Sequence, residues 1–244
     1  MNAERIGEYK EGKVQIQESA EFSDMEQVCA RYRRLYAGAV YDVLEHLGFP
    51  NQVLSDQFAP LTPEMKLSGP AFTVKGTTSC ERDESLRHRR LAAIKRIRRP
   101  CIEVRDCGTP FRLALYGELS ATTAAAHGAV GALVDGGTRD TGMLIAMGFP
   151  VFARYRTPVE AFGRWAMVDC EVPVLVSGQL TDTIQVNPGD FIFGDFDGVL
   201  VIPKALTMPV LEECERVIGI EDNARVEFAR GDDPVEVFQR HKRL

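Results

Sequence analysis

The chain has 244 residues, 45% of them hydrophobic and 26% charged, enough apolar material for one sizeable core. Its formal net charge of -6 excludes a general nucleic-acid or membrane-surface binder, because phosphate contacts need a basic surface. No stretch approaches the roughly 20 apolar residues of a membrane span, and the polar opening residues resemble no secretory signal. Cys29, Cys80, Cys101, Cys107, Cys170 and Cys214 form neither a C-x-x-C pair nor a zinc spacing, which points to reduced thiols in a cytoplasmic protein.

Residues 1–22 are polar and mixed in charge and read as an N-terminal arm; residues 23–244 read as a single domain. Ser23 or Asp24 can cap a helix that carries Val28, Tyr32, Leu35, Val40, Val43, Leu44 and Leu47 at helical spacing. Gly48 and Pro50 end it, and Gly38 is a point at which it can divide. Ala71–Val74, after Gly69 and Pro70, has the composition of a strand. From Cys80 to Arg99 the chain is strongly basic, with Arg82, Arg87, Arg89, Arg90, Lys95, Arg96, Arg98 and Arg99. This stretch is either a basic rim that attracts a di- or tricarboxylate or an acidic partner, or a solvated helix that turns Leu86, Ile94 and Ile97 inward.

Cys101–Arg105 is β-rich, Glu118–His127 is an Ala-rich helix, and Ala132–Val134 is a short apolar strand bounded by glycines. Gly136 and Gly137 predict a tight turn closed by the Asp135 carboxylate, with Arg139 and Asp140 just beyond. If the two strands are parallel, the loops at Gly117 and Arg139 leave the sheet at one edge, and the start of the helix faces a guanidinium and a carboxylate. Free N–H groups and Arg suit a small carboxylic acid, and Asp suits a divalent cation.

Met143, Leu144 and Met147 suggest a short helix that stops at Gly148, followed by a strand over Pro150–Ala153. Val174–Val176, Asp190–Phe193 and Val199–Ile202 are short strands separated by turns at Pro188-Gly189 and Asp197-Gly198. Asp195 and Asp197 lack the remaining ligands of a calcium loop and read as a hairpin turn. Leu211–Arg230 is an amphipathic helix and Pro234–His241 a shorter one. His46, His88, His127 and His241 share no metal spacing. Ser120 and Ser177 have no paired His, so a hydrolase triad has no support. Asp56, Asp106 and Asp135 remain possible helpers at the site, with closure of the glycine turn the favoured role for Asp135.

Five segments together resemble the RraA-like family. They are Gly117–Ala121, the Ala-rich helix after it, the D-G-G-x-R-D run ending at Asp140, G-F-P-V-F-A-R at 148–154, and P-G-D-x-x-x-x-D-x-D-G-V-x-x-x-P at 188–203. The similarity runs from Leu35 to the C-terminus; the basic stretch departs from the family pattern. Catalytic members are class II aldolases that split 4-hydroxy-4-methyl-2-oxoglutarate and 4-carboxy-4-hydroxy-2-oxoadipate. The resemblance implies an α/β fold, a β/β/α swivelling-domain sandwich, assembled as a homotrimer or hexamer.

It also implies roles. Gly117, Glu118, Leu119 and Ser120 would hold the pyruvyl carboxylate of a small 2-oxo acid, Arg139 the developing enolate, and Asp140 a Mg2+ or Mn2+ ion. Glu118 would be an outer-shell carboxylate, and Glu221 would reach a neighbouring subunit's site. Cleavage beside a 2-oxo group needs such an electron sink, and the same sink serves decarboxylation of oxaloacetate. A different expectation is a regulatory binding protein of the ribonuclease E inhibitor type; members of that kind tend to lack the Asp of the Arg-Asp pair, which this chain keeps at Asp140. No glycine-rich nucleotide loop follows a first strand, so a methyltransferase has no support.

Overall fold

A computed structural model describes residues 24–106 and 108–242. The arm expected over 1–22 lies outside them. The strands are β1 (Ala59–Pro60), β2 (Leu67–Thr78), β3 (Cys101–Arg105), β4 (Ala114–Tyr116), β5 (Ala129–Thr138) and β6 (Val151–Arg156). They continue as β7 (Trp165–Cys170), β8 (Val174–Ser177), β9 (Thr183–Val186), β10 (Phe191–Asp195) and β11 (Gly198–Ile202). The helices are α1 (24–32), α2 (Ala37–His46), α3 (Glu84–Ile94), α4 (Glu118–Ala126), α5 (Thr141–Ala146), α6 (Thr207–Arg230) and α7 (Pro234–His241).

Among the described residues one mixed sheet runs β1-β6-β5-β3-β2-β10-β11, with β4 beside β5 and β7 beside β2; β8 and β9 pair separately. Its centre, β6-β5-β3-β2, is parallel, and β1, β7, β10 and β11 join antiparallel. This is the α/β sandwich that the sequence motifs implied.

Side-chain alternation explains the layers. On β10 and β11, Phe191, Phe193, Leu200 and Ile202 face one way and pack with Tyr32, Val40, Leu44, Val210 and Leu211 of α1, α2 and α6. Ile192, Val199 and Val201 face the other way, into the larger core with Ile102, Val104, Leu133 and Val151. Strands buried on both faces read as continuous apolar runs, which these do. Tyr32 stacks on Phe191 with ring centroids 4.3 Å apart, and its hydroxyl donates to the Thr207 carbonyl at 2.7 Å.

Three local expectations need correction. The first helical run breaks over 33–36, ahead of Gly38, which lies inside α2. The break is held from outside: Lys66 Nζ donates to the carbonyls of Arg33 and Leu35, and Asp195 Oδ2 accepts the Ala37 N–H at 2.8 Å. Asp195 Oδ1 accepts the Asp197 N–H at 2.9 Å, so its carboxylate joins a helix start to a hairpin whose two-residue turn is Phe196-Asp197.

The double glycine makes no tight turn, because β5 continues through it to Thr138. The β5–β6 register shifts between Val134 and Gly137. A Cβ on Gly137 would lie 2.5 Å from the Tyr155 ring and 2.6 Å from the Leu113 carbonyl, so glycine is required by close crossing of the chain. Asp135 closes no turn either; its buried carboxylate accepts from the Ser177 N–H and hydroxyl and from Arg154 Nη1 at 2.9 Å.

No helix among the described residues is long and apolar enough to cross a membrane.

Candidate active site

The parallel pairing of β4 with β5 sets Tyr116 opposite Thr138. The residues that follow each strand, Gly117 and Arg139-Asp140, therefore emerge side by side. Arg139 N–H donates to the Tyr116 carbonyl at 2.9 Å and fixes this register at the sheet edge.

Gly117 is fully extended (φ -158°, ψ -177°), a conformation open to any residue. Its glycine identity comes from space: a Cβ would lie 2.6 Å from Asp140 Oδ2 and 3.1 Å from Arg139 Cγ. With no side chain there, the Glu118 N–H donates to Asp140 Oδ2 at 3.2 Å, and Arg139 Nε stands 3.5 Å from the same oxygen.

Asp140 is in the left-handed region (φ 55°, ψ 33°), one of three non-glycine residues with positive φ among those described. That conformation costs an L-residue roughly 1–2 kcal/mol, and Asp tolerates it better than most. Held there, Asp140 starts α5 with its carbonyl, which accepts from the N–H groups of Met143 and Leu144, while its carboxylate turns back to α4.

The first intrahelical bond of α4 runs from the Ala121 N–H to the Gly117 carbonyl, so helix geometry leaves the N–H groups of Glu118, Leu119 and Ser120 without intrahelical acceptors. Glu118 spends its own on Asp140. Those of Leu119 and Ser120 make this a helix N-terminus of the kind that attracts anions. The Glu118 carboxylate accepts from Thr122 Oγ1 at 2.7 Å, one turn along the helix.

A cleft of about 420 Å³ opens over this edge. Tyr116, Gly117, Leu119, Ser120, Arg139 and Asp140 line it together with Arg87, Arg90, Phe162, Trp165 and Met167. Arg90 Nη2 donates to Ser120 Oγ at 3.2 Å, and the Arg87 guanidinium lies over the Phe162 ring at 4.2 Å. Burial, and then the positive charge of Arg105, pull the Arg90 pKa down to about 10.

Behind the cleft, Arg105 Nε donates to Glu103 Oε1 at 2.7 Å, Nη1 donates to the Leu115 carbonyl, and the guanidinium packs on the Tyr116 ring. Burial, and then the Glu103 charge, push the Tyr116 phenol well above its ordinary range.

Of the residues named from sequence, Gly117, Leu119, Ser120, Arg139 and Asp140 line the cleft; Glu118 does not, and meets it only through the bond from its N–H to Asp140. Glu221 is not brought there. It lies on α6, where its carboxylate accepts from Tyr36 Oη and from Arg225 Nη2. Asp56 is exposed, and Asp106 is buried and accepts the Gly76 N–H at 2.9 Å; neither lines the cleft. The basic stretch divides between its two expectations: Ile94 and Ile97 are buried, whereas Arg87 and Arg90 line the cleft.

Sequence reading missed Arg90 individually, the Phe162-Trp165-Met167 wall and the buried Glu103-Arg105 pair. The only signal for Arg90 was its i, i+3 spacing from Arg87 within a helical run.

No group of three or more His, Cys, Asp or Glu side chains able to hold a metal occurs among the described residues. A closed structural metal centre is therefore a poor fit for this cleft. Its donor set, one half-exposed carboxylate beside an open cleft, suits a hard ion that keeps most of its oxygen ligands from water and substrate, as Mg2+ does.

The sequence profile of the RraA-like family, described as Aldolase/RraA, matches residues 37–201. The chain is 28% identical over 198 residues to a Halalkalibacterium halodurans protein named "Putative 4-hydroxy-4-methyl-2-oxoglutarate aldolase", covering 80% of this chain and 85% of that protein. It is 26% identical over 192 residues to Protein DlpA of Legionella pneumophila, covering 79% of this chain but spanning only 30% of DlpA. Its fold is similar to that of Streptomyces coelicolor RraAS2, described as an unusual member of the RNase ES inhibitor RraA protein family. That structure has a TM-score of 0.67 at 19% identity, covering 82% of this chain and 96% of that one. With the family profile matched across most of its length, the chain belongs to the RraA-like, Aldolase/RraA family.

Proposed function

We propose that this chain is a divalent-metal-dependent, pyruvate-forming lyase that cleaves a 4-hydroxy-2-oxo diacid by retro-aldol chemistry and decarboxylates oxaloacetate as a side activity. The observation that carries this is the junction at Gly117, where a missing side chain lets an anion-binding helix start, a guanidinium and a left-handed Asp carboxylate meet in one cleft. The name of the Halalkalibacterium relative agrees with it.

In this scheme the N–H groups of Leu119 and Ser120 bind the 2-oxo acid carboxylate. A Mg2+ or Mn2+ ion held by Asp140 would supply Lewis-acid polarisation of the 2-oxo oxygen. The 4-hydroxyl proton leaves to a water oriented by Glu118, C4 becomes a carbonyl, and the C3–C4 bond breaks. Its electron pair becomes the pyruvate enolate, whose oxygen Arg139 faces, and protonation at C3 releases pyruvate.

The exposed apolar side chains of Leu119, Met143 and Met147 stand near the cleft and favour a second reading, a regulatory binding protein without turnover. In the lyase reading that face is buried in a homotrimer or a hexamer, in which Glu221 of a neighbouring subunit completes each site. Pyruvate release from 4-hydroxy-2-oxo diacids, with and without Mg2+ or Mn2+, separates the two. Metal-dependent release supports the lyase, and none from any diacid leaves the binding protein.

A further inference from the structure

The side chains lining the cleft carry a net positive charge of one, which a divalent ion on Asp140 would take to three, beyond what one carboxylate neutralises. Arg139 stands beside Gly117, Arg90 reaches the Ser120 side chain, and Arg87 lines the same cleft; Asp140 and Glu160 are the acids lining this space.

Arg90 is the unusual member. It is half-buried, its hydrogen bond goes to the neutral Ser120 hydroxyl, and it forms no ion pair among the described residues. The buried Arg105 lies behind it and is already matched by Glu103. A desolvated guanidinium beside a second cation, with a neutral partner and an open cleft in front, is short of a counter-anion.

Arg87, one turn away on the same face of α3, is held over Phe162 and is also placed to meet an anion. Arg87 also faces Glu84 at 3.9 Å, whereas two other cations of the stretch are paired more closely. Arg96 pairs with Glu171 and Arg99 with Glu26.

We infer that Arg90, with Arg87 beside it, binds the carboxylate at the far end of the substrate, so that the cleft selects 2-oxo acids carrying two negative charges. This rests on the lyase reading only for what sits at the near end, on Asp140 and the Gly117 turn. Arg90 acts here as a specificity-determining residue, and its guanidinium exchanges the Ser120 hydroxyl, or shares it, with the incoming carboxylate.

The test is calorimetric binding, without turnover, of 2-oxoglutarate and of 2-oxopentanoate, which has the same five carbons but no far carboxylate. Both are titrated at fixed ionic strength with Mg2+ present. The unaltered chain is expected to prefer 2-oxoglutarate by on the order of 10-fold or more, the contribution of a charge-assisted pair. Arg90→Gln should remove most of that preference while changing 2-oxopentanoate affinity by less than about 3-fold, and Arg90→Lys should restore part of it. If Arg90→Gln does not fold, Arg87→Gln, at a more exposed position, should lower the preference several-fold.

Equal affinity of the unaltered chain for the two acids, binding of neither at millimolar concentration, or a preference that survives Arg90→Gln would overturn the inference. So would a loss of both acids alike in a folded Arg90→Gln, which would place Arg90 at the shared carboxylate. A chain that keeps the preference but releases no pyruvate loses the lyase reading and keeps this one. A chain that releases pyruvate but shows no preference does the reverse.

Discussion

The Cβ that Gly117 lacks would stand 2.6 Å from Oδ2 of Asp140. Residues 23 positions apart in sequence are thus in contact through an absent side chain, and the Glu118 N–H fills the gap by donating to the same oxygen. Substitution here acts on the site without acting on the backbone, because φ of -158° suits any residue. Gly117→Ala is expected to keep its circular dichroism spectrum, to lose no more than about 1–3 kcal/mol of stability as an overpacked contact, and to lose pyruvate release by on the order of 100-fold. A variant with near-normal turnover would mean that Asp140 need not sit where Gly117 admits it.

Asp140→Asn separates charge from conformation. Asn tolerates the left-handed backbone about as well as Asp, so the melting temperature should stay within a few degrees of the unaltered chain. An amide is a far weaker ligand for a hard cation, so metal-dependent turnover should disappear. Undiminished pyruvate release by this variant at low Mg2+ would remove Asp140 from metal binding.

Arg139→Lys keeps the charge and loses the planar fork. With Nε already 3.5 Å from Asp140, the guanidinium can face a second oxygen in a way an ammonium cannot. Turnover should fall on the order of 100-fold, and aldol cleavage and oxaloacetate decarboxylation should fall in parallel, because both develop the same enolate charge. A fall in one reaction alone would show that Arg139 acts on the departing group.

The buried pair behind the cleft is a stability element. The side chains of Arg105 and Glu103 are 1% and 2% exposed. Removing one partner strands a buried charge, so Glu103→Ala should destabilise the fold by about 3–5 kcal/mol in urea unfolding. A loss below about 1 kcal/mol would mean that the Leu115 carbonyl and the Tyr116 ring suffice to hold Arg105.

Much of the site was legible because its signals are local. An Ala-rich helix after Gly117 and an apolar strand before Arg139 need no tertiary information, and together they put two loops at one edge. Gly136 and Gly137 were misread because a pair of glycines signals a turn in isolation, whereas Gly137 is set by Tyr155 and Leu113, far from it in sequence. β4 has three residues, too few to show a period, yet it positions Gly117. Cys101–Arg105 reads from sequence only as a β-rich strand; the packing of Tyr116 and Leu115 shows that the face carrying Glu103 and Arg105 is buried. Arg90 is one of eight cations in a basic run, and the contact that distinguishes it, with Ser120, spans 30 residues.

The central claim is metal-dependent formation of pyruvate in this cleft. It is tested most directly by coupled-assay pyruvate release from 4-hydroxy-4-methyl-2-oxoglutarate and from oxaloacetate, each with Mg2+ or Mn2+, against the same metal without protein. Release well above that blank from both compounds, stopped by chelator and absent in Asp140→Asn, is the expected result. Rates indistinguishable from the blank with both metals would contradict a catalytic role and leave a binding protein.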